Sequence, residues 1–353
     1  MKRPGFLFLA HGLSFGIVKL MQDHYLGVDI GGTKTEVCLL RLQDPLNFQT
    51  YQVLERMRMP TERTSTYESY MGRLLFLIRD VLKPHSLDLN QIRGIGIGLP
   101  GSIDPASQQM VAGSIPFFMG FSLADAFKKS LGHEGLIVLD NDANCFALAE
   151  AYLGAGANYC RETGLPLSDL CMLAVTLGTG VGGGIIASGE LVRGRRGGAG
   201  EIGHTTLIEG GRPCYCGKLG CAEQYLSGNG FQVSYSARAS VLEQLSGKEI
   251  FEKVEAGHPL ALATLQYYRD HLVTFLSNLS NVLDPHLIVL GGGMSTQSRI
   301  YTGLSERLSR ECFLTTNPPV VTRYTLGESS GVLGAALLTF SRFHRTHVTA
   351  GIK

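Results

Sequence analysis

A chain of 353 residues is longer than one hydrophobic core usually serves, and points to two lobes. Hydrophobic residues at 44% and charged residues at 17% supply a sizeable core and exclude a disordered chain. Lys and Arg number 31 against 30 Asp and Glu and are dispersed, so no basic field is present to hold nucleic acid through its phosphates.

Residues 1–21 have a basic start and an apolar stretch, which gives them a superficial likeness to a signal peptide. They contain His11, Gly12 and Ser14, lack a clear small-x-small cleavage site, and are too short to span a bilayer. An extension ahead of a second start at Met21 is favoured over secretion. Tyr25 to Ile30 is then a short apolar run ending in Gly31-Gly32, followed by Thr35 to Leu40, a pattern that predicts a β-hairpin. Ile92 to Leu99 (IRGIGIGL) and Leu136 to Leu139 read as strands. Ala143 to Leu153 carries helix formers after an Asn-Asp start. Strand and helix therefore alternate through the first 155 residues.

The pattern restarts at Cys171, where CMLAVTLGTGVGGGIIASGEL places two apolar runs around a glycine-rich turn and echoes the first hairpin. Leu265, Tyr268, Leu272, Phe275, Leu276, Leu279 and Leu283 recur at three- and four-residue spacing and predict a helix over 260–283. Asp284-Pro285 stops it, and Leu287 to Leu290 begins a strand closed by Gly291-Gly292-Gly293. Two halves, each with a strand–Gly-turn–strand unit, suggest an internal duplication around a cleft.

Four constellations carry chemistry. Asp29-Ile30-Gly31-Gly32-Thr33-Lys34 brings backbone N–H groups close to a phosphate, and Asp29 is a candidate Mg²⁺ holder, directly or through water. A tight hairpin turn would also account for it. It is not a GxxxxGK[ST] loop, which disfavours a P-loop fold. Gly178-Thr179-Gly180 within LGTGVGGG is a second potential phosphate cradle. A strand-like run follows it, where a dinucleotide fingerprint needs a helix. Asp140-Asn141-Asp142-Ala143-Asn144 sits at a strand end before a helix. It offers a proton acceptor and hydrogen bonds for polyol hydroxyls, while helix capping would account for one of these residues.

The fourth and most specific is His204 with Cys214, Cys216 and Cys221. Three cysteines in eight residues plus one His match a closed tetrahedral Cys₃His zinc site, with Gly217 and Gly220 supplying turns. A disulfide would leave one cysteine over. Glu201 and Glu223 frame this array and are candidates for binding vicinal hydroxyls. Cys38, Cys145, Cys160, Cys171 and Cys312 are scattered and read as small core residues.

Together the motifs DIGGTK (29–34), GIGLPG (96–101), DNDAN (140–144), LGTGVGGG (177–184), GEIGH (200–204), CYCGKLGCAEQYLSG (214–228) and DPHLIVLGGGMS (284–295) resemble the ROK family of repressors, open reading frames and kinases. The matches run from residue 25 to about 340. The resemblance implies an α/β, two-lobed actin-like ATPase (ribonuclease H-like) fold with a zinc-binding loop. Residues 1–24 would be an extension, 25–155 one lobe and 156–353 the other, with the last helix packing back on the first. It implies an ATP-dependent hexose 6-kinase in which Asp142 is the general base and Asn141, Glu201, His204 and Glu223 contact the sugar. Asp29, Gly31, Gly32, Thr33, Lys34, Gly178, Thr179 and Gly180 would handle Mg²⁺ and the phosphates, and Gly291, Gly292 and Gly293 would lie near the adenosine. ATP, Mg²⁺ and Zn²⁺ are the implied cofactors.

Within the family, GGTKTEV, PCYCGKLGC and VLGGGMS look most like bacterial fructokinases and mannokinases, whereas DNDANCFALAEA and Ser114-Ile115-Pro116 lean toward N-acetylglucosamine kinases. Ser114 departs from the sugar-contacting Asn these kinases usually place there, so hexose and N-acetylhexosamine acceptors both stay open. Free thiols and ATP chemistry suit the cytoplasm, and a homodimer without nucleic acid or membrane partners is expected. Only 28 residues precede Asp29, too few for the DNA-binding domain of the family's repressors. A sugar-sensing regulator without turnover would keep the zinc array and carboxylates yet need no Asp142.

Overall fold

A computed structural model describes residues 23–42, 50–104, 107–113, 115–239, 245–314 and 316–350. The N-terminal segment with Met21, and Ser114, lie outside the described residues. In chain order the first half contains β1 (Asp23–Ile30), β2 (Lys34–Leu42), β3 (Tyr51–Pro60), α1 (Tyr67–Leu82), β4 (Ile92–Leu99), β5 (Gly101–Ile103), β6 (Met110–Gly113), α2 (Leu123–Leu131), β7 (Leu136–Asn141) and α3 (Asp142–Tyr152). The second contains α4 (Ala155–Thr163), β8 (Met172–Leu177), β9 (Val181–Ala187), β10 (Glu190–Leu191), α5 (Glu223–Leu226), α6 (Gly228–Ser236), α7 (Gly247–Glu255), α8 (Pro259–Leu283), β11 (Leu287–Gly291), α9 (Leu304–Glu311), β12 (Val320–Arg323) and α10 (Ser330–Ala350).

The duplication suggested by the two glycine hairpins is present in the topology. One five-stranded sheet runs β3-β2-β1-β4-β7 and the other β10-β9-β8-β11-β12. In both, the first three strands form antiparallel pairs and the last two add in parallel, each half repeating the other. The pattern of α8 is also realised. Leu265, Tyr268, Leu272, Phe275 and Leu276 are buried in the core of the second sheet, with Leu279 and Leu283 packed at its margin.

Strand β4 explains how the two halves meet. Successive side chains of a strand point to opposite faces, so IRGIGIGL puts Ile95, Ile97 and Leu99 into the core beneath α1 and α2 and turns Gly94, Gly96 and Gly98 the other way. On that second face lies α10. A Cβ on Gly96 would stand 1.7 Å from the Ala335 carbonyl oxygen, and one on Gly27, which pairs with Gly96 across β1 and β4, 2.1 Å from that of Val332. Helix α3 lies beside α10, where a Cβ on Gly334 would meet the Cys145 carbonyl oxygen at 1.7 Å. Its other flank rests on β9, where a Cβ on Gly184 would come 2.5 Å from Ala147 Cβ. Residues 143–151 are accordingly buried on every side, the pattern of a helix enclosed by structure all round.

One carboxylate locks this seam. Glu150 is buried, and its oxygens accept hydrogen bonds from the Ala155, Thr325 and Leu326 amides and from the Thr325 and Ser330 hydroxyls. A buried carboxylate is tolerated when hydrogen bonds replace its hydration, and here they join the end of α3 to the start of α10.

Gly96→Ala forces α10 away from its trough, and overpacking of this kind costs about 1–3 kcal/mol. Gly72, in α1, has open space around its Cβ position, so Gly72→Ala is expected to leave stability unchanged or raise it by about 0.5–1 kcal/mol. Thermal melts of the two variants check the contrast, and equal midpoints would refute the close-packed seam.

Candidate active site

The parallel strands β1, β4 and β7 end together, and α3 starts there. Asn141 is the N-cap of α3, its Oδ1 accepting from the Ala143 amide at 2.8 Å while its Nδ2 donates to the Gly101 carbonyl at 3.1 Å. Asp140 is buried and accepts from Arg193 Nε at 2.6 Å, Asn144 Nδ2 at 2.7 Å and the Asn141 amide at 2.9 Å. Capping and this network account for three of the four polar residues of DNDAN. Asp142 remains, at the first helical position and partly exposed, with one oxygen on the Ala143 amide. Desolvation, opposed by that amide and reinforced by the charge of Glu201, raises its pKa to about 6. Asp29, at the end of β1, is raised further, to about 7, first by burial and then by the charges of Asp142 and Glu36. Two carboxylates in one confined space repel each other's anions.

The first glycine loop is a hairpin turn in which the Gly31 amide donates to the Lys34 carbonyl at 2.9 Å. Thr61 supports it from below, its hydroxyl donating to the Gly31 carbonyl at 2.7 Å. Gly31, Gly32 and Thr33 line the turn. The exposed Lys34 pairs with Glu328 at 3.5 Å, outside the turn. The second loop, Gly178-Thr179-Gly180, closes with the Gly178 amide on the Gly180 carbonyl at 3.0 Å. Gly292 joins the two glycine-rich turns of the second half. It has φ +78°, and a Cβ there would lie 2.5 Å from the Leu177 carbonyl group, so only glycine lets Gly291-Gly292-Gly293 lie against the hairpin.

The GEIGH segment lies on β9 by the same device, since a Cβ on Gly203 would fall 2.0 Å from the Val181 carbonyl oxygen. Glu201 Oε1 accepts from the buried Ser102 hydroxyl at 2.6 Å. Glu223 begins α5 with Oε2 on the Val181 amide at 3.0 Å. Glu201 and Glu223 are thus tied to β5 and to the second glycine hairpin, and the charge of Glu201 reaches Asp142.

His204, Cys214, Cys216 and Cys221 bring one candidate ligand atom each to within 4.8 Å of one another. His204 Nδ1 is 3.6 Å from Cys214 Sγ, and Cys216 Sγ is 3.6 Å from Cys221 Sγ. A tetrahedral zinc with Zn–S bonds of about 2.3 Å sets its sulfurs about 3.8 Å apart, so these spacings fit the ion. Gly217 and Gly220, at φ +88° and +74°, make the turns, and all three thiols are free. The remaining cysteines are scattered, with Cys38, Cys145 and Cys312 buried and Cys160 and Cys171 half-buried.

Asp29, Asp142 and Glu201 thus lie within reach of one another's charge, Asn141 caps the same helix start, Glu223 is bound to the second glycine hairpin, the Cys–His set begins at His204 just after Glu201, and the exposed Lys34 turns to Glu328. Motif reading misses Ser102 and Arg193, whose partners lie about a hundred and about fifty positions away in the chain. It also misses Tyr215, an 82% exposed aromatic between two of the cysteines. The Tyr215 hydroxyl sits 3.0 Å from His204 Nε2. The presence of Tyr between Cys214 and Cys216 was the available signal.

An N-acetyl-D-glucosamine kinase of Yersinia pseudotuberculosis serotype O:1b (strain IP 31758) is 35% identical over 324 residues, covering 89% of this chain and 98% of that protein. The protein of the same name from Pasteurella multocida (strain Pm70) is 34% identical over 329 residues, covering 90% and 99%. These curated relatives carry the N-acetylglucosamine kinase name, not the fructokinase or mannokinase name expected from the subgroup motifs. Among solved structures, the ROK hexokinase from Thermus thermophilus superposes with TM-score 0.77 at 28% identity, covering 91% of this chain and 99% of that one. A ROK family glucokinase from Streptomyces griseus, in complex with glucose and AMPPNP, gives 0.68 at 26% identity, covering 89% and 98%. These neighbours carry the two-lobed actin-like fold expected from the motifs. The ROK family model matches residues 25–342, and with the paired sheets, the glycine turns and the Cys–His loop in their expected order, the chain belongs to the ROK family.

Proposed function

We propose that this chain, an ATP-dependent sugar kinase, phosphorylates N-acetyl-D-glucosamine on its 6-hydroxyl, with Asp142 as the general base. The observation that carries the acceptor is the 35% identity to N-acetyl-D-glucosamine kinase over nearly the whole of both chains. Residues 25–155 and 156–353 act as two lobes, with α10 returning to the first, and the cytoplasm is the fitting compartment for free zinc-binding thiols and ATP.

In this reading the sugar lies with its 6-hydroxyl on Asp142 and its remaining hydroxyls on Asn141, Glu201, His204 and Glu223. Oxygen 6 attacks the γ-phosphorus, the bond to the bridging oxygen breaks, ADP leaves and the hydroxyl proton passes to Asp142. A carboxylate with a pKa of about 6 is ionised at neutral pH and still more basic than an ordinary aspartate, the compromise a general base needs. Asp29 would hold Mg²⁺, whose charge favours the ionised form of that raised carboxylate. The two glycine hairpins offer backbone amides to the phosphates, and Gly291-Gly292-Gly293 flank the nucleoside. His204, Cys214, Cys216 and Cys221 would hold a zinc ion with four protein ligands, which would supply rigidity and no activated water.

In an ADP-release assay across N-acetylglucosamine, N-acetylmannosamine, glucose, mannose and fructose, N-acetylglucosamine is expected to give the highest kcat/KM, with phosphate on O6 by NMR. A preference for fructose or mannose would reject the acceptor.

Asp142→Asn keeps shape and hydrogen bonding but removes the basic oxygen, and kcat is expected to fall by roughly 10²–10⁴. In the wild type, kcat/KM should rise with pH through about 6 as Asp142 ionises, and this limb should vanish in the variant. Near-normal kcat in Asp142→Asn would assign the base elsewhere.

Metal analysis is expected to find about one Zn²⁺ per chain, and Cys216→Ser to lower both metal content and melting temperature, because structural zinc contributes folding free energy. Active, folded protein free of zinc would contradict the site.

A further inference from the structure

Tyr215 is the one large aromatic of the zinc loop, and its setting is unusual. It is 82% exposed, yet its hydroxyl sits 3.0 Å from His204 Nε2, with the rings edge to face at 5.2 Å between centroids. The His204 Nδ1 nitrogen points into the cysteine set. A neutral imidazole that gives one nitrogen to a metal carries its proton on the other, so Nε2–H donates to the Tyr215 hydroxyl. That N–H is also the polar group through which His204 would meet a sugar. The contact and the sugar therefore compete for one donor.

The tyrosine cannot withdraw far once displaced. Its neighbours in sequence, Cys214 and Cys216, are both ligands of the proposed zinc, and the Cys214 amide is tied to the Lys218 carbonyl at 2.8 Å. Only rotation about the side-chain bonds is free, which keeps the ring at the rim of the site. With O6 directed to Asp142, the opposite edge of the pyranose, C1 to C3, faces this loop. An aromatic ring offers that edge an apolar wall, and the methyl of a 2-acetamido group is the part of the sugar suited to it.

We propose that Tyr215 sets sugar affinity and selectivity: its hydroxyl occupies His204 Nε2 until a sugar hydroxyl replaces it, and its ring then packs against the substituent at C2. The inference rests on the sugar-kinase reading of the site and adds to it a residue of the cysteine loop to which the motif reading gave no role.

The test uses the full-length zinc-loaded protein with two variants. Tyr215→Phe keeps the ring and deletes the competitor, so the Kd for N-acetylglucosamine, measured by calorimetry without nucleotide, is expected to fall roughly 2- to 10-fold, the worth of one net hydrogen bond. The KM for ATP should stay constant. Tyr215→Ala also removes the wall, and the ratio of kcat/KM for N-acetylglucosamine over glucose is expected to fall by about fourfold or more, the worth of one buried methyl-sized group. An unchanged or raised Kd in Tyr215→Phe, or an unchanged ratio in Tyr215→Ala at wild-type zinc content, overturns the proposal. Loss of zinc from both variants also overturns it, because Tyr215 would then be a support of the metal. A wild-type protein that prefers another hexose refutes the acceptor separately, and the Tyr215→Phe binding measurement, repeated with that hexose, then decides the role of Tyr215.

Discussion

The close seam between α3 and α10 is the constraint from which the rest of the structure follows. Each helix approaches a sheet or its neighbour at distances that exclude a Cβ, through Gly27, Gly96, Gly184 and Gly334. Interiors pack at near-crystalline density and transmit displacements that looser matter would absorb. The N-terminus of α3 is therefore placed by two sheets at once, and Asp142 is its first residue. The N-terminus of α10 is placed in the same way, with Gly331 so close to Asp29 that a Cβ would stand 2.4 Å from Oδ2. Glu150 joins the C-terminal end of α3 to the start of α10 through five donors, so α3 cannot slide along α10 without leaving a buried carboxylate short of partners.

The same packing explains the electrostatics. Asp29 and Asp142 are desolvated by the elements that hold them, and each is pushed up as a result. Fixed dipoles and charges in such a site act more strongly than in water, which suits a reaction whose catalysis is mostly positioning and charge stabilisation. In the proposed reading Glu223 would link the sugar side to the phosphate side. One of its oxygens is committed to the Val181 amide, the Gly228 amide donates to the Gly178 carbonyl at 2.7 Å, and a Cβ on Gly180 would strike that same Glu223 oxygen at 2.5 Å. The hairpin that would cradle phosphate thus also orients an acid that would hold sugar.

Much of this was legible in the sequence, for stated reasons. Hairpins around Gly31-Gly32 and Gly178-Thr179-Gly180, the strands at 92–99 and 136–139, and the 260–283 helix all follow from local periodicity and turn residues. So does the Cys–His set, because ligand type and spacing are local. The meaning of IRGIGIGL was only half visible. Alternation gives a strand with an apolar face, but the glycine face has meaning only once α10, more than 230 residues later, lies across it. Ser102 and Glu201, or Arg193 and Asp140, pair through tertiary contacts that no window contains. Lys34 belongs to the DIGGTK turn by sequence, and its ion pair with Glu328 is one more tertiary contact that no window contains.

A kinase has no chemical need of a filled tetrahedral metal, so the purpose of such an ion lies in what it holds still. The loop from His204 to Cys221 contains four glycines and few apolar residues, and a chain of that kind loses much conformational entropy on ordering. Packing alone offers it little return, since Tyr215 and Leu219 are exposed. Cross-linking at four points lets a polar, glycine-rich loop behave as a rigid element, with Glu201 just before it and Glu223 just after. Carboxylates meant to read hydroxyl positions need that rigidity, because a small displacement of a binding group is costly to a reaction that depends on alignment. The metal would then do for the sugar end of the cleft what the glycine seam does for the catalytic end.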